Sequence, residues 1–412
     1  MAIIGENEAK WQQKSRKSYA AKKTFFRRIK CGKYYVYSPQ NLFDMAKYIY
    51  QRENWTDFTW DYSKIAVVLG KVRNLQGKLL GTMNALGFSL KSEAVLETLT
   101  LDIMKSSEIE GEKLNRKQVR SSIAKRLGLE TGGLEFIDRN VEGVVEMLLD
   151  ATQNYTDDLS EGRLFGWHSA LFPSGRSGMY KIEVGQYRTG EMQVVSGAMG
   201  QEKVHYEAVE AKNVKTEMDK FISWVNEKSQ IDSVIKSAIA HLWFVTIHPF
   251  DDGNGRIARA ISDMLLARSD GSPQRFYSMS NQILKERKKY YSALGNTQHS
   301  DSDITFWLNW FLNCLKNSLL NTEITLKSVF RKANFWEKHK NTQLNERQKL
   351  IVNKLFDNFY GKLTSSKWAK MTKISSDTAL RDIKDLIEKG ILKQDEAGGR
   401  STNYELIVEN EK

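Results

Sequence analysis

The chain has 412 residues, of which 41% are apolar, 27% are charged and only four are proline, as is typical of a globular and mostly helical protein. Two cysteines, Cys31 and Cys314, are too few for a disulfide framework or a cysteine metal cluster, so we expect a reducing, cytoplasmic compartment. The sequence has neither an apolar run of the roughly 18 residues that a membrane span needs nor the apolar stretch of a signal peptide. We therefore expect no membrane partner.

The formal net charge of +12 is concentrated at the N-terminus, where residues 1–44 contain ten Lys/Arg and three Asp/Glu. Residues 343–412 contain thirteen Lys/Arg and eleven Asp/Glu, so the charge says little about nucleic-acid binding by the folded domains. Residues 1–44 lack helical apolar spacing, and we predict a basic, disordered tail. This tail is either a genuine basic arm or a segment that precedes a natural start at Met45.

Beyond the tail, apolar residues recur at the spacings of three and four that amphipathic helices require. A first helix is predicted at 61–86, a second from Ser92 to Gly111, and a third from Asn115 to Gly128 with Gln118 completing a capping-box-like pair. Further helices are predicted at 134–153, 160–171, 206–227, 232–247, 254–268, 283–295 and 303–337. Glycines alternate with apolar residues at 185–204, which favours a short hairpin.

The C-terminal segment has a different order of elements. Helical spacing covers 345–357, 365–372 and 375–389, and two short strands at 391–393 and 404–407 flank a polar turn at 396–400. Three helices followed by a two-stranded wing predict a winged-helix domain at 343–412.

The segment from His248 to Arg259, His-Pro-Phe-Asp-Asp-Gly-Asn-Gly-Arg-Ile-Ala-Arg, joins an apolar helix that Pro249 ends to a new helical pattern. The loop therefore leads into a helix N-terminus, whose free N–H groups and dipole favour phosphate oxygens. Gly253 and Gly255 leave these N–H groups accessible because they carry no side chain. The loop thus predicts an anion site.

Four side chains of the same segment suit phosphate chemistry. Asp252 can hold a magnesium ion, Arg256 and Arg259 share one helix face and can bind phosphate oxygens, and His248 can accept a proton near neutral pH. Each of these residues alone is more often structural. Their combination and order favour a nucleotide site.

The segment matches every specified position of the Fic family signature, His-x-Phe-x-(Asp/Glu)-Gly-Asn-Gly-Arg-x-x-Arg, and the chain resembles that family. The resemblance implies a mainly α fold: a Fic helical core with a short β-hairpin flap, an N-terminal helical module and a C-terminal winged helix. We expect the helical module at 45–94 and the Fic catalytic domain at 95–337.

The resemblance also implies a reaction. In the family, the loop binds ATP, and the histidine deprotonates a Tyr, Thr or Ser hydroxyl of a target protein, which then receives AMP. By this resemblance His248 is the general base and Asp252 the Mg²⁺ ligand. The phosphate contacts would be Gly253, Asn254, Gly255, Arg256 and Arg259.

Two further regions resemble parts of the family site. Tyr187 and Arg188 are similar to the entry of a flap that holds the target segment by main-chain pairing, with Val194 and Val195 as clamps on the target. A structural hairpin is the alternative. Tyr290, Tyr291 and Gln298 resemble the region that lines the adenine pocket, although adjacent aromatic residues also occur in ordinary cores.

Upstream, Ser106, Glu110 and Gly111 match the motif (Ser/Thr)-x-x-x-Glu-(Gly/Asn) of autoinhibited Fic proteins. The resemblance implies an inhibitory helix at about 95–111, in which Glu110 pairs with Arg259 and withholds it from the γ-phosphate. The alternative is a surface carboxylate in the charged run Glu108 to Glu112.

Other functions stay open. The chain could be a DNA-binding regulator whose recognition helix, Ser375 to Glu388, presents Arg381 and Lys384, although Asp377, Asp382 and Asp385 lie on the same helix. The enzyme could instead use a different nucleotide or a phosphocholine donor, or remove AMP. The expected partners are a target protein, the chain itself as a modified substrate, DNA if the winged helix binds it, and a second copy in a homodimer.

Overall fold

The computed structural model describes residues 12–15, 30–31, 34–35, 46–84, 88–129, 137–196, 203–356, 359, 361–395 and 402–407. Contacts divide the chain into two compact units, one of Met1–Leu86 with Lys91–Thr322 and the other of Gly87–Leu90 with Glu323–Lys412. Most of the predicted tail at 1–44 and the whole predicted turn at 396–400 lie outside the described residues. The described helices include none that is long and apolar enough to cross a membrane.

Helices make up most of the described chain, which confirms the mainly α fold class. From the N-terminus to the start of the C-terminal segment they are α1 (Tyr62–Asn84), α2 (Phe88–Ile109), α3 (Arg116–Arg126), α4 (Arg139–Gln153), α5 (Glu161–Leu171), α6 (Val214–Asn226), α7 (Ser233–Ile247), α8 (Asn254–Asp270), α9 (Met279–Lys285), α10 (Arg287–Gln298) and α11 (Thr305–Lys338).

Some predicted boundaries are wrong for local reasons. The helix predicted at 206–227 begins only at Val214, because residues 203–207 form a strand. The helix predicted at 283–295 is two helices that meet at Glu286. The predicted capping box is also wrong: the Asn115 side chain caps α3, but the Gln118 side chain accepts a hydrogen bond from the Asp138 N–H at 3.4 Å.

Short strands border the helices. They are β1 (Gln12–Ser15), β2 (Lys30–Cys31), β3 (Tyr34–Tyr35), β4 (Arg176–Ser177), β5 (Tyr180–Lys181), β6 (Met192–Ser196) and β7 (Lys203–Glu207). β6 pairs antiparallel with β7 on one edge and with β1 on the other, and β4 pairs with β5. The predicted hairpin is therefore displaced towards the C-terminus, and the β4–β5 hairpin was not predicted.

The α7–α8 pair positions the motif. Every residue of α7 from Val234 to Ile247 is buried, and the Asp232 side chain caps the helix by accepting the Val234 N–H at 2.8 Å. α7 packs against α6 and α8, and α8 packs against α4 and α5. Because α7 ends where Pro249 removes a backbone donor, the loop 248–253 lies at one end of this buried pair.

The second unit has its own core around Trp368, Ile383 and Leu386. Its elements are α12 (Glu346–Phe356), α13 (Ser365–Thr372), α14 (Ser376–Glu388), β8 (Leu392–Gln394) and β9 (Tyr404–Leu406), and β8 pairs antiparallel with β9. This order is the one expected for a winged helix, and the assignment of that domain stays a prediction.

The acidic residues of α14 do not all face solvent. Asp382 is buried and binds the Arg347 guanidinium at 2.9 and 3.0 Å, whereas Arg381 and Lys384 are exposed. Asp382 therefore does not weaken a DNA-contacting face as the sequence analysis assumed. The DNA-binding alternative stays a prediction.

Candidate active site

The loop between α7 and α8 begins with a residue in an unusual conformation. His248 has φ 54° and ψ 60°, in the left-handed region, and ends α7 by donating its N–H to Phe244 at 2.9 Å. Residues other than glycine rarely adopt this conformation, which costs about 1–2 kcal/mol of conformational free energy. The surrounding contacts must therefore hold His248 in place.

Arg188 provides those contacts. Its side chain is 2% exposed and donates from Nε to the His248 carbonyl at 2.8 Å, from Nη1 to the Gly190 carbonyl at 2.8 Å, and from Nη2 to the carbonyls of Val209 and, at 3.4 Å, Ile247. Its own N–H donates to Pro249 at 2.9 Å. Arg188 therefore fixes the end of α7 from a position just before β6, and its expected place at the entry of a target-binding flap stays a prediction.

The Asn254 side chain holds the interior of the loop through two hydrogen bonds to the main chain of Phe250. Its Nδ2 donates to the Phe250 carbonyl at 2.7 Å, and its Oδ1 accepts the Phe250 N–H at 3.0 Å. Because the side chain is fully buried in these two bonds, it shapes the loop, and only its main chain can serve the expected phosphate cradle.

Phe250 packs against a cluster of aromatic side chains. Its ring stacks on the buried His168 ring with centroids 4.2 Å apart, and Tyr187 packs against Phe165 and Phe250 at 4.9 and 5.7 Å. His168 Nδ1 accepts the Gly185 N–H at 3.2 Å, and burial lowers the pKa of His168 to about 4. Tyr187 therefore packs against the loop through the Phe250 ring, and its expected place at the entry of the flap stays a prediction.

The N-terminus of α8 is closely approached by neighbouring groups. Gly253 has φ 80°, and a Cβ there would lie 2.9 Å from the Phe172 ring. A Cβ on Gly255 would lie 2.3 Å from Glu110 Oε1. A carboxylate thus occupies the place beside the helix N-terminus where an anion is most stabilised.

The imidazole of His248 is neutral at physiological pH. Nδ1 lies 3.1 Å from the Val245 carbonyl, which can only accept, so Nδ1 carries the proton and Nε2 carries the lone pair. Burial lowers the pKa of His248 from the ordinary value of 6.5 to about 4. The ring can accept a proton across the physiological range without first losing one.

The segment that the resemblance implies to be inhibitory lies directly against the motif. Arg259, whose side chain is 3% exposed, donates from Nη2 to Glu110 Oε1 at 2.8 Å and to the Ser106 carbonyl at 3.0 Å, and from Nε to Ser106 Oγ at 2.9 Å. Gly111 follows with φ 88° and ends the turn after α2. The pair that the resemblance implies is therefore present as a contact.

The second arginine of the motif has its own acidic partner. Arg256 Nη1 donates to Glu112 Oε2 at 2.8 Å, and the guanidinium lies 5.0 Å from the centre of the Phe172 ring. Neither contact was expected, because Glu112 and Phe172 are far from Arg256 in sequence.

Asp252 is engaged on both oxygens. Oδ1 accepts the Gly253 N–H at 2.6 Å, and Oδ2 accepts from the Ser177 hydroxyl in the β4–β5 hairpin. The described residues contain no cluster of three or more His, Cys, Asp or Glu that could hold a metal ion by themselves. A lone carboxylate still suits Mg²⁺ that arrives with a nucleotide, since that ion takes most of its ligands from phosphates and water.

One cleft of about 570 Å³ is lined by groups from both sides of these contacts, namely Glu110, Glu112, His248, Asp252 and Arg256. Tyr291 and Gln298 from α10 line it, as do Val194 of β6 and the residues 177–182 of the β4–β5 hairpin. Val195, the other expected clamp, is buried. Tyr290 also borders the cleft, but its hydroxyl lies 2.9 Å from Nε2 of the buried His241, which gives it a structural role as well.

Family models match two stretches of the chain. Residues 48–129 match a domain of unknown function (DUF4172), and residues 158–266 match the Fic/DOC family. The chain contains a Fic domain. The motif from His248 to Arg259 lies inside it, whereas Glu110 and Glu112 lie in the stretch that matches DUF4172. The motif arginines and the carboxylates that bind them therefore belong to two different matched stretches.

Curated relatives are similar over short stretches. The protein adenylyltransferase fic-1 of Caenorhabditis elegans is 30% identical over 115 residues, 27% of this chain and 20% of that protein. A probable protein adenylyltransferase of Aquifex aeolicus is 37% identical over 73 residues, 18% of this chain and 20% of that protein. The chain thus spans about a fifth of the length of these relatives. A solved Fic family protein from Desulfovibrio desulfuricans is 21% identical with a TM-score of 0.49, covering 85% of this chain and 97% of that one.

Sequence reasoning missed several residues of the Fic domain that shape the site. His168, Phe172 and Ser177 lie 70 to 90 residues before the motif in sequence, and each contacts one of its residues. The sequence carries no local signal for such contacts, because they depend on how α5 and the β4–β5 hairpin pack beside α8.

Proposed function

We propose that the chain is a protein adenylyltransferase that transfers AMP from Mg²⁺-ATP to a Tyr, Thr or Ser hydroxyl of a target protein, and that Glu110 inhibits it. The observation that carries the proposal is the meeting, at one cleft, of a helix N-terminus, the buried Arg256 and a neutral histidine, with the buried Arg259 held by Glu110, which also lines the cleft. The Fic domain and relatives named protein adenylyltransferases support the same activity.

The phosphates of ATP would bind at the N-terminus of α8. The first N–H groups of a helix have no partner within the helix, and the helix dipole adds attraction for an anion. Arg256 and Arg259 lie in the first two turns of α8 and would bind the β- and γ-phosphates through charge-assisted hydrogen bonds. Tyr291 and Gln298 would border the adenine.

His248 would act as the general base. Its Nε2 takes the proton of the target hydroxyl while the hydroxyl oxygen attacks the α-phosphorus, and the bond from that phosphorus to the bridging oxygen breaks. The electron pair leaves with pyrophosphate, and the target keeps the adenylyl group. The left-handed conformation that Arg188 maintains sets the direction of the imidazole, so positioning contributes much of the rate.

Asp252 is the residue that would hold Mg²⁺. The ion, when bound with the nucleotide, would neutralise phosphate charge during transfer. The Ser177 hydroxyl and the Gly253 N–H orient this carboxylate before the nucleotide arrives.

The β6–β7 hairpin is the expected contact for the target segment, and Val194 supports this because it lines the cleft. An extended segment that added to the outer edge of β6 would take the place of β1, which pairs there in this structure.

Glu110 would inhibit because it lies at two places where phosphates would bind, Arg259 and the N-terminus of α8. It binds Arg259, and its Oε1 lies so close to Gly255 that a Cβ there would clash with it, beside the helix N-terminus. A triphosphate could therefore enter only in a pose that leaves the γ-phosphate without Arg259.

Intact mass spectrometry of a Glu110→Gly variant incubated with Mg²⁺ and ATP tests the proposal. We expect an added adenylyl group on the enzyme itself or on an added target, and none with Glu110→Gly/His248→Ala. Parallel incubations with other nucleotides and with phosphocholine donors identify the donor by its mass. No adduct from ATP with the Glu110→Gly variant, in the presence of substrate proteins, would contradict the proposed function.

A further inference from the structure

A second carboxylate of the same segment holds the other motif arginine. Glu112 Oε2 accepts from Arg256 Nη1 at 2.8 Å, and the arginine side chain is 3% exposed whereas that of Glu112 is 48% exposed. The inhibitory motif ends at Gly111, so Glu112 lies outside it.

The turn after α2 directs the two carboxylates to different arginines. Gly111 adopts φ 88°, its N–H donates to the Glu108 carbonyl at 3.0 Å, and the Glu112 N–H donates to the Ser107 carbonyl at 3.0 Å. These bonds fix the backbone on both sides of the glycine. Glu110 and Glu112 are therefore presented together, one to Arg259 and the other to Arg256.

Glu108 in the same run provides an internal comparison. Its carboxylate pairs with Lys105 at 2.7 Å, one turn back on α2. The run thus contains two carboxylates directed at the motif and one directed at its own helix.

Arg256 has donor capacity that suits a phosphate. Its Nε is buried and has no hydrogen-bond partner in the part of the chain that the structure describes, and the Phe172 ring supports the guanidinium. An incoming phosphate must share this guanidinium with the Glu112 carboxylate, and two anions beside one cation repel each other. Nucleotide binding at Arg256 is therefore opposed while Glu112 stays in place.

We propose that Glu112 is a second inhibitory carboxylate, which withholds Arg256 from the nucleotide as Glu110 withholds Arg259. The effect of Glu112 on AMP transfer rests on the proposed function, whereas its effect on nucleotide affinity does not. Removal of Glu110 alone leaves one of the two arginines engaged, so the Glu110→Gly variant is only partly released.

Nucleotide affinity tests this directly. Isothermal titration calorimetry with Mg²⁺ and a non-hydrolysable ATP analogue would compare the full-length protein with Glu112→Ala and, as the matched control, Glu108→Ala. We expect Glu112→Ala to tighten binding about three- to tenfold, as the loss of a partly exposed charge pair would allow, and Glu108→Ala to change it less than twofold. Thermal unfolding checks that both variants remain folded, which the exposure of the two side chains favours.

Self-modification is the second measurement. In the Glu110→Gly background, Glu112→Ala should raise the labelling rate further by a similar factor, whereas Glu108→Ala should not. Equal affinities and rates for the Glu112→Ala and Glu108→Ala proteins would overturn the inference and leave the proposed function intact. Tighter binding without any adenylyl adduct would support the inference and contradict the proposed function.

Discussion

Arg188 is the residue whose replacement should most clearly separate loop geometry from catalysis. Its guanidinium donates to the carbonyls of His248, Gly190, Val209 and Ile247 in a buried place. Methionine keeps much of the apolar volume but leaves these acceptors without a donor, and each such group costs about 1–3 kcal/mol. Removal of the buried arginine charge also removes its desolvation cost, which offsets part of this loss. We therefore expect a net loss of about 3–5 kcal/mol in the free energy of unfolding.

Urea unfolding followed by tryptophan fluorescence measures this loss, and Arg176→Met is the matched control. Arg176 also donates to a carbonyl, that of Met179 at 3.0 Å, but on the exposed β4–β5 hairpin, so its replacement should cost less than about 0.5 kcal/mol. Where Arg188→Met remains folded in the Glu110→Gly background, labelling should also fall at least tenfold, because His248 is no longer held. If the two methionine variants unfolded at the same urea concentration, our account of how His248 is positioned would be wrong.

Two further predictions follow from the buried groups. Asn254→Ala removes both bonds to Phe250, so we expect about 2–3 kcal/mol less stability by urea unfolding and a large loss of labelling in the Glu110→Gly background; unchanged labelling would show that the side chain does not shape the loop. Burial lowers the pKa values of His168 and His248 to about 4 and that of His241 to about 3, so the unfolded chain binds more protons below pH 6.5. Each histidine should therefore lower the stability by about 1.4 kcal/mol per pH unit as the pH drops from about 6.5 towards 4, against the opposite contribution of Asp251, Asp263 and Asp270, whose pKa values burial raises. Urea unfolding of the protein and of His241→Gln at several pH values isolates one histidine: the variant should lose less stability between pH 6.5 and 5, and equal losses would contradict the prediction.

The motif could be predicted from the sequence because its chemistry is local. A loop that begins where Pro249 ends α7 and that leads into α8 brings His248, Asp252 and the N-terminus of α8 together through short-range geometry alone. The helical spacing of Arg256 and Arg259 is equally local. The helix order and the mainly α fold class follow from apolar periodicity in the same way, and the structure confirms them.

The parts that were missed depend on long-range packing. Nothing near Arg188 in sequence shows that its side chain reaches the end of α7. From the sequence, Glu112 is one member of a charged run that is typical of a solvated surface. In the structure, the turn after α2 places its carboxylate beside Arg256. The burial that lowers the pKa of His248 was missed for the same reason, since it comes from elements distant in sequence.

The most direct test of the account is a crystal structure of the Glu110→Gly variant with Mg²⁺ and a non-hydrolysable ATP analogue. We predict the triphosphate at the N–H groups that open α8, with Arg256 and Arg259 on its outer phosphates and the His248 imidazole facing the α-phosphorus. An analogue bound elsewhere in the cleft, with the loop 248–253 making no phosphate contact, would contradict the proposed transfer of AMP.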